Sequence, residues 1–258
     1  VPILLTKRKA PNFKKISGMK LKEVYKSSPF GVVSSFLIGI SHSAVFSLIA
    51  VYATAMNFSI LEISIVTFLF AISGAISQWP IGKLSDVLDR RIVIIYTTFG
   101  AALFCFLAII SSGQMYMPAG LATSKLFFYI CIMCFSFCSL PMFALIFAHT
   151  NDFIPKEKFV AAGAGLQFVF GLGAICGPFM CSLFMEFLGE NGFFIFLIIF
   201  HSFIGLFGIY RMQIRESGDN PDSQFAPMPQ TITPAGIELN PSTEPIDEPN
   251  NLNEFKKI

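Results

Sequence analysis

The stretch Asn191–Tyr210, with the sequence NGFFIFLIIFHSFIGLFGIY, contains no Lys, Arg, Asp or Glu. A helix that crosses the hydrocarbon core of a bilayer needs about 20 consecutive, mostly apolar residues, and this stretch is long enough. Its run 193–200 is apolar throughout, whereas a strand of a membrane β-barrel alternates apolar and polar residues. The stretch therefore predicts a transmembrane α-helix.

The rest of the chain repeats this pattern. Of its 258 residues, 54% are hydrophobic and 13% are charged, about half the charged fraction of a soluble domain. The charged residues are bunched, and each long uncharged stretch has room for one helix but not for two. The sequence thus predicts an all-α membrane protein and argues against a soluble enzyme. The six predicted transmembrane helices cover approximately 29–55, 61–82, 92–112, 126–149, 159–187 and 191–211.

The basic residues fall almost entirely on one side of the predicted helices. Of the 18 Lys and Arg residues, Lys125 is the one on the opposite side. Because Lys and Arg are retained in cytoplasmic loops, both termini are predicted to be cytoplasmic, and an even number of helices fits this. The basic residues of segment 1–28 are interpreted as topological anchors rather than as a nucleic-acid-binding surface; attraction to anionic lipid head groups is the alternative.

The two ends of the chain differ from the predicted bundle at 29–212. The N-terminal VPILL, residues 1–5, resembles the end of an apolar segment that meets the cytoplasm, so we expect a preceding helix in a longer protein. The segment 213–258 is rich in Pro and acidic residues and poor in large apolar ones. Such a segment buries too little surface to offset its ordering entropy, which predicts a disordered cytoplasmic tail.

The loop 83–91 between the second and third predicted helices holds the most informative motif. It lies in the sequence QWPIGKLSDVLDRR, residues 78–91, and its notable members are Gly82, Asp86, Asp89, Arg90 and Arg91. Gly82 permits close backbone approach where we expect the helix to end. Asp86 is placed to pair with Arg90 or to accept from free N–H groups at a helix start. The alternative is a polar hairpin with topological anchors and nothing more.

This loop resembles the signature of the major facilitator superfamily, G-x-L-[AS]-D-[RK]-x-G-[RK]-[RK], which joins the second and third helices of each six-helix half. The sequence departs from the signature at Val87, where a basic residue is usual, and at Asp89, where Gly is usual. These departures resemble the degenerate copy in the C-terminal half of the family. The missing basic residue at 87 leaves a full charge-relay gate in question.

A second motif, Gly173-Ala-Ile-Cys-Gly177-Pro178, resembles the G-x-x-x-G-P core in the fifth helix of facilitator halves. Glycines four apart let another backbone approach closely, and Pro178 favours a bend. Close packing without motion is the alternative. The resemblance covers residues 1 to about 212. The wording QWPIGKLSD and the AHTND stretch at 148–152 are most similar to the YcaD-type branch of bacterial facilitators.

The resemblance implies the C-terminal half of a twelve-helix transporter, built from two inverted three-helix repeats. It implies that 1–28 is the central cytoplasmic loop, that the missing N-terminal half is a partner, and that the membrane is the bacterial cytoplasmic (inner) membrane. In that family the first and fourth helices of a half line the solute cavity, the second and fifth contact the other half, and the third and sixth face lipid.

Polar residues inside the predicted helices are candidates for the solute or proton path. His42 ranks first because an imidazole titrates near neutral pH; a neutral His bonded to a backbone carbonyl is the alternative. Ser136 and Ser139 share a helix face, but such hydroxyls often bond back to their own helix. The remaining candidates are Ser41, Tyr52 and Gln167.

Other polar residues receive structural interpretations. His201 lies in the sixth helix, which the resemblance places at the periphery. The remaining assignments are a helix-end cap for His149, Asn151 and Asp152, the water boundary for Glu62 and Glu186, and small apolar packing for Cys131, Cys134 and Cys138. No metal site is expected, because no His or acid lies within one turn of these cysteines to complete a tetrahedral set.

The leading functional hypothesis is secondary active transport of a small solute by alternating access, coupled to protons through His42. No G-x-x-x-x-G-K-[ST] sequence occurs, so ATP hydrolysis is not expected, and neither a cofactor nor an enzymatic activity is expected. One alternative is an intramembrane serine protease, although Ser73-Gly74 is preceded by Ala71-Ile72 and lacks the first Gly of G-x-S-G. A transporter-fold sensor or scaffold is another.

Overall fold

The computed structural model describes residues 18–111, 125–218 and 225–227. These residues form helices and connecting turns. The helices are α1 (Leu21–Ser27), α2 (Pro29–Ala55), α3 (Ile60–Val87), α4 (Arg90–Ser111), α5 (Lys125–Ser139), α6 (Met142–Asn151), α7 (Phe159–Leu188) and α8 (Gly192–Ile214), and a 3₁₀ turn covers Lys156–Lys158.

Within the described residues, six spans are long and apolar enough to cross a membrane, as predicted. Spans one to six are α2, α3, α4, the α5–α6 pair, α7 and α8. Helix starts follow local sequence signals: the Ser28 hydroxyl accepts from the Gly31 N–H at 3.1 Å, and Ser59 and Glu62 form a capping box at the start of α3. The turn between α2 and α3 uses Asn57, at a φ of 57°.

Span four is divided, whereas the sequence predicted one continuous helix. The last backbone hydrogen bond of α5 runs from the Leu140 N–H to the Ser136 carbonyl. The first backbone hydrogen bond of α6 runs from the Leu145 N–H to the Pro141 carbonyl. Pro141 has no N–H to donate and cannot continue the ladder. The Ser139 carbonyl at this break is therefore available to a partner outside its helix.

The signature loop is shorter than predicted. Helix α3 continues through Gly82 to Val87, and α4 begins at Arg90, so the turn itself is Leu88–Asp89. The prediction that the helix ends at Gly82 was wrong. The glycine instead provides room for another side chain, because a Cβ built there would lie 2.2 Å from the ring of Phe225.

The G-x-x-x-G-P motif packs span five against span one. A Cβ added at Gly173 would lie 2.2 Å from the Phe36 carbonyl oxygen, and one added at Gly177 would lie 2.2 Å from that of Ile40. On the facing side of the contact, a Cβ added at Gly39 of α2 would lie 2.2 Å from the Phe170 carbonyl oxygen. Glycines on both helices thus bring the two backbones into contact. Helix α7 is continuous through Pro178.

The contacts between spans have the symmetry of two three-helix repeats. Span four corresponds to span one, span five to span two and span six to span three. Span one packs on span five, and correspondingly span four packs on span two. Span one also packs on span six, and correspondingly span four packs on span three. Spans three and six pack on each other. Exchanging spans one to three with spans four to six reproduces the arrangement, which is one half of the predicted twelve-helix fold.

Two differences concern the ends of the chain. Residues 21–27 of the predicted loop form the short helix α1, whereas the VPILL prediction lies outside the described residues. Most of the predicted disordered tail also lies outside them. Phe225 is an exception: its ring packs against core residues at one end of the bundle. We call this end, which carries Arg90, Arg91 and Arg215, the basic end.

Candidate functional site

Four polar side chains from three spans meet inside the bundle. They are Ser41 and His42 of α2, Ser139 of α5 and His201 of α8, and all four are buried. We call them the histidine cluster. The His42 ring lies 6.3 Å from that of Phe170, and the His201 ring lies 5.5 Å from that of Phe135. Polar groups in such surroundings must satisfy one another.

The hydrogen bonds of the histidine cluster run in one direction. The Leu197 carbonyl can only accept, so Nδ1 of His201, 2.9 Å away, carries the hydrogen. In the neutral ring Nε2 is then an acceptor, and the Ser139 hydroxyl donates to it across 2.8 Å. The Ser139 oxygen in turn accepts from Nε2 of His42 at 3.1 Å. A continuous chain therefore leads from His42 through Ser139 to His201.

The break in span four helps to hold this chain of hydrogen bonds in place. Nε2 of His42 also lies 3.2 Å from the Ser139 carbonyl, at the end of α5. The Ser41 hydroxyl, 3.2 Å from Nδ1 of His201, supports the other end. The break at Pro141 thus supplies an acceptor that an unbroken helix would have used internally.

The structural role predicted for His201 rested on the resemblance, which places the sixth span at the periphery. The structure places the ring inside the bundle beside Ser139. An ionisable residue in the middle of a span was a usable signal. Its distance of 62 positions from Ser139 hid the pairing.

The other predicted path residues lie elsewhere. The Ser136 hydroxyl donates to the Phe70 carbonyl of α3, so neither Ser136 nor Ser139 bonds back to its own helix. Tyr52 is packed among the rings of Phe128, Phe193 and Phe194 at the end opposite the basic end. Gln167 is half-buried on α7.

At the basic end, Arg90 joins three elements. Its Nη2 donates to Asp86 at 2.9 Å, and its Nη1 donates to Asp152 at 2.5 Å and to the Ala148 carbonyl at 3.0 Å. The pair Asp86–Arg90 is the one that the spacing predicts. Asp152, interpreted from sequence as a helix cap, is the C-cap residue that ends α6, and its carboxylate also binds a side chain from span three. Because Arg90 is buried, these carboxylates balance a charge that would otherwise be unpaired.

Arg91 forms a second network beside the first. Its Nη2 lies 2.6 Å from Asp89, and its Nη1 donates to the Arg215 carbonyl at 2.5 Å. Burial raises the pKa of the Asp89 carboxyl, but the hydrogen bonds and positive charge of Arg91 outweigh it, so this pKa lies below its ordinary value. The carboxylate form of Asp89 is therefore favoured.

Phe225 completes the basic end. Its backbone N–H donates to Oδ1 of Asp86 at 2.9 Å. Its ring contacts Gly82 and packs against the core clusters around Phe143 and Phe147. A residue from the predicted tail thus contacts the signature motif directly.

At the opposite end, an ion pair between Glu62 and Lys125 links spans two and four. Ser59 also donates to Glu62, from its backbone N–H at 2.8 Å and from its hydroxyl at 2.9 Å. Glu62 therefore combines a helix cap with a contact between spans. Glu186 is exposed near the end of α7.

The serine of the protease alternative lacks a catalytic setting in the described part of the chain. The Ser73 hydroxyl donates to the Met133 carbonyl at 2.6 Å, which ties α3 to α5. Neither His42 nor His201 bonds to it there; both bond to Ser139. A nucleophilic serine needs a base within hydrogen-bond reach, so the geometry gives this alternative no support.

Together, six apolar spans in the described residues, two three-helix repeats and a Gly–Asp–Arg signature between spans two and three define a polytopic membrane protein with a facilitator-like half. The chain belongs to the Major Facilitator Superfamily, whose sequence profile matches residues 31–245.

Curated relatives carry the same family name. An uncharacterised MFS-type transporter of Yersinia enterocolitica, YE1530, is 23% identical over 201 residues, which are 78% of this chain and 47% of that protein. YfkF of Bacillus subtilis is 26% identical, over 71% of this chain and 45% of its own length. The chain spans about half the length of the curated relatives it matches. No solved structure matches it.

Proposed function

We propose that this chain is the C-terminal half of a secondary active transporter that couples the movement of a small solute to protons. The family supports transport in general. The printed names of the relatives, MFS-type transporters, name no solute. In this proposal the protein lies in a bacterial cytoplasmic membrane, and its basic end faces the cytoplasm because basic residues are retained there.

The observation that carries the proton coupling is the directed chain His42–Ser139–His201. A proton that arrives at Nδ1 of His42 releases the hydrogen on Nε2 to Ser139. The Ser139 hydroxyl hydrogen then passes to Nε2 of His201. One positive charge moves from the first ring to the second, and no group is left with an incomplete valence. The ring tautomers of the resting chain favour this direction.

The surroundings of the cluster fit a coupling role. His42 and Ser139 belong to spans one and four, which the family uses to line the solute cavity. Spans two and five are the least buried of the six. In the most apolar 18-residue stretch of each, 28% of the residues are buried inside the bundle. Their exposed faces include Phe68 and Trp79 of α3 and Ile175 and Phe179 of α7. We propose that the second six-helix half packs on these faces.

The network of Asp86, Arg90 and Asp152 is proposed as the cytoplasmic gate. It holds the ends of spans two, three and four together, so its loss would favour an inward-open arrangement. Solute or proton binding shifts such an equilibrium only by its difference in affinity for the two states. The charge on the histidine cluster provides such a difference.

The test uses the full-length protein in liposomes that contain a trapped pH-sensitive dye. Sugars, amino acids and organic cations are added in turn, and a transported solute should change the internal pH. The same solute should give no pH change with His42→Ala but should still raise the unfolding temperature of that variant. Ser43→Ala is the control, because the Ser43 hydroxyl bonds only within its own helix, to the Ile40 carbonyl. Equal pH changes in the wild type and His42→Ala would contradict the proposal.

A further inference from the structure

A small pocket at the basic end lies between the start of α2 and the end of α8, apart from the histidine cluster and the Arg90 network. Three arginines face it: Arg91, Arg211 and Arg215. We call it the arginine pocket. The remaining lining residues are Ser28, Pro29, Phe30, His149 and Phe153.

The charge of the arginine pocket is not balanced by the protein groups described around it. Asp89 pairs with Arg91. The Arg215 guanidinium donates to the Ser27 carbonyl at 2.5 Å and lies 4.0 Å above the Phe153 ring, and neither partner is an acid. Three guanidinium groups against one carboxylate leave an excess of two positive charges. No acidic residue lines the pocket in the described part of the chain.

Arg211 is the group that is available to a ligand. Across residues 18–111, 125–218 and 225–227, its side chain forms no hydrogen bond or ion pair, although it faces the pocket and is partly buried. Like charges repel, so three guanidinium groups around one pocket repel each other, and an anion bound between them would offset this repulsion. Guanidinium groups bind phosphate oxygens with paired N–H donors.

The start of α2 adds to the positive potential. This helix has 27 residues, and its first turn, Pro29 and Phe30, lines the pocket. The N-terminal end of a helix carries a partial positive charge that favours anions. This contribution is secondary to the arginines, but it acts in the same direction.

The outer surface of α8 indicates where the anion comes from. Phe203, Leu206, Tyr210 and Ile214 are exposed along one face of the helix. Their spacing of three or four residues forms a continuous apolar stripe, which reaches the level of Arg211. An acyl chain on this stripe would bring its head group to the pocket, whereas a free ion gains nothing from it.

We propose that the arginine pocket binds the phosphate group of an anionic phospholipid, with its acyl chain against α8. The proposal is independent of transport and of the solute. Inorganic phosphate shares the head-group chemistry, so the experiment must separate the two sources.

The experiment measures binding to the full-length protein in a zwitterionic detergent. Dioleoylphosphatidylglycerol, dioleoylphosphatidylcholine and inorganic phosphate are titrated separately, and the rise in unfolding temperature is followed. Wild-type protein should be stabilised by phosphatidylglycerol at concentrations where the other two have no effect. Arg211→Gln, which removes no described protein contact, should weaken this response about tenfold. Arg211→Lys should recover part of it.

The matched control is Lys156→Gln, which removes one positive charge from the same end of the bundle but away from the pocket. It should respond as the wild type does. Equal weakening in Lys156→Gln and Arg211→Gln would mean diffuse attraction and would overturn the site. Equal stabilisation by inorganic phosphate would overturn the lipid assignment, and no response to phosphatidylglycerol would overturn both.

Discussion

The backbone N–H of Phe225 and the carboxylate of Asp86 are joined by a hydrogen bond of 2.9 Å. The same carboxylate oxygen accepts from Arg90, also at 2.9 Å. A residue far along the chain thus shares the acceptor of the signature motif. Any movement that separates Asp86 from Arg90 acts on an oxygen that Phe225 also holds.

This relationship predicts the effect of Gly82→Ala. The added methyl group would lie 2.2 Å from the Phe225 ring, so the ring must leave, whereas alanine itself favours the helix by about 1 kcal/mol. We expect a stable protein with a released Phe225 segment. A thiol introduced by Ala226→Cys, with Cys176 replaced by Ser, should react faster with a maleimide when Gly82→Ala is also present. The same labelling rate with and without Gly82→Ala would show that the position of Phe225 does not depend on this space.

Substitution of Asp152 should destabilise the basic end. Asp152→Asn removes one of two carboxylates that balance the buried Arg90, and we expect a loss of about 1–3 kcal/mol. Thermal unfolding of the purified protein in detergent measures it. Glu186→Gln, at an exposed acid near the opposite end, should be close to neutral. Asp152 would have no role in balancing Arg90 if both variants unfolded at the wild-type temperature.

The glycine contact between α2 and α7 predicts a clear difference among three alanine substitutions. Gly173→Ala and Gly177→Ala each place a methyl group 2.2 Å from a backbone oxygen of α2, and backbones cannot move apart without loss of packing. We expect about 1–3 kcal/mol of destabilisation from each. Gly171→Ala, where nothing lies within 4 Å, should be neutral or stabilising. Measured unfolding temperatures that do not separate these positions would contradict the observed contact.

Ser139→Ala should break the hydrogen-bonded chain at its centre. It leaves Nε2 of the buried His201 without its donor, and an unsatisfied buried polar group costs about 1–3 kcal/mol. Ser182→Ala is the control, because the exposed Ser182 hydroxyl bonds within its own helix. Ser139→Ala should also abolish the solute-driven pH change, whereas Ser139→Thr should retain part of it. A normal pH change in Ser139→Ala would remove Ser139 from the proton path.

The lowered pKa of Asp89 predicts a pH-dependent contribution to stability. A carboxyl whose pKa is lower in the folded state stabilises that state above its unfolded pKa, about 3.9, and this contribution disappears as the pH falls through the folded value. The difference in unfolding temperature between wild type and Asp89→Asn should stay constant from pH 7 to about pH 5 and then decrease. Glu157→Gln, at an exposed acid of the same end, serves for comparison. A difference that grows with acidity would contradict the pairing of Asp89 with Arg91.

The spans could be predicted because the cost of charge in hydrocarbon excludes Lys, Arg, Asp and Glu from them. The pair Asp86–Arg90 was likewise visible, because residues four apart on a helix are neighbours. The pair Arg90–Asp152 joins residues 62 positions apart, and nothing local specifies it. The contact between Phe225 and Gly82 could not be predicted either, because these residues are far apart in sequence. A glycine alone indicates either a helix end or a close approach.

The division of span four at Pro141 has a mechanical consequence. Helix α6 has 10 residues and is about 15 Å long. If it tilts as a rigid body, its pivot lies next to Ser139 and its far end lies beside Asp152. A tilt of about 10° around this pivot moves the far end by about 2.6 Å, enough to separate Asp152 from Arg90. In such a tilt, the histidine cluster lies at the pivot and the Arg90–Asp152 ion pair lies at the end that moves most. A small angular change of α6 at Ser139 would thereby give a larger displacement at Asp152.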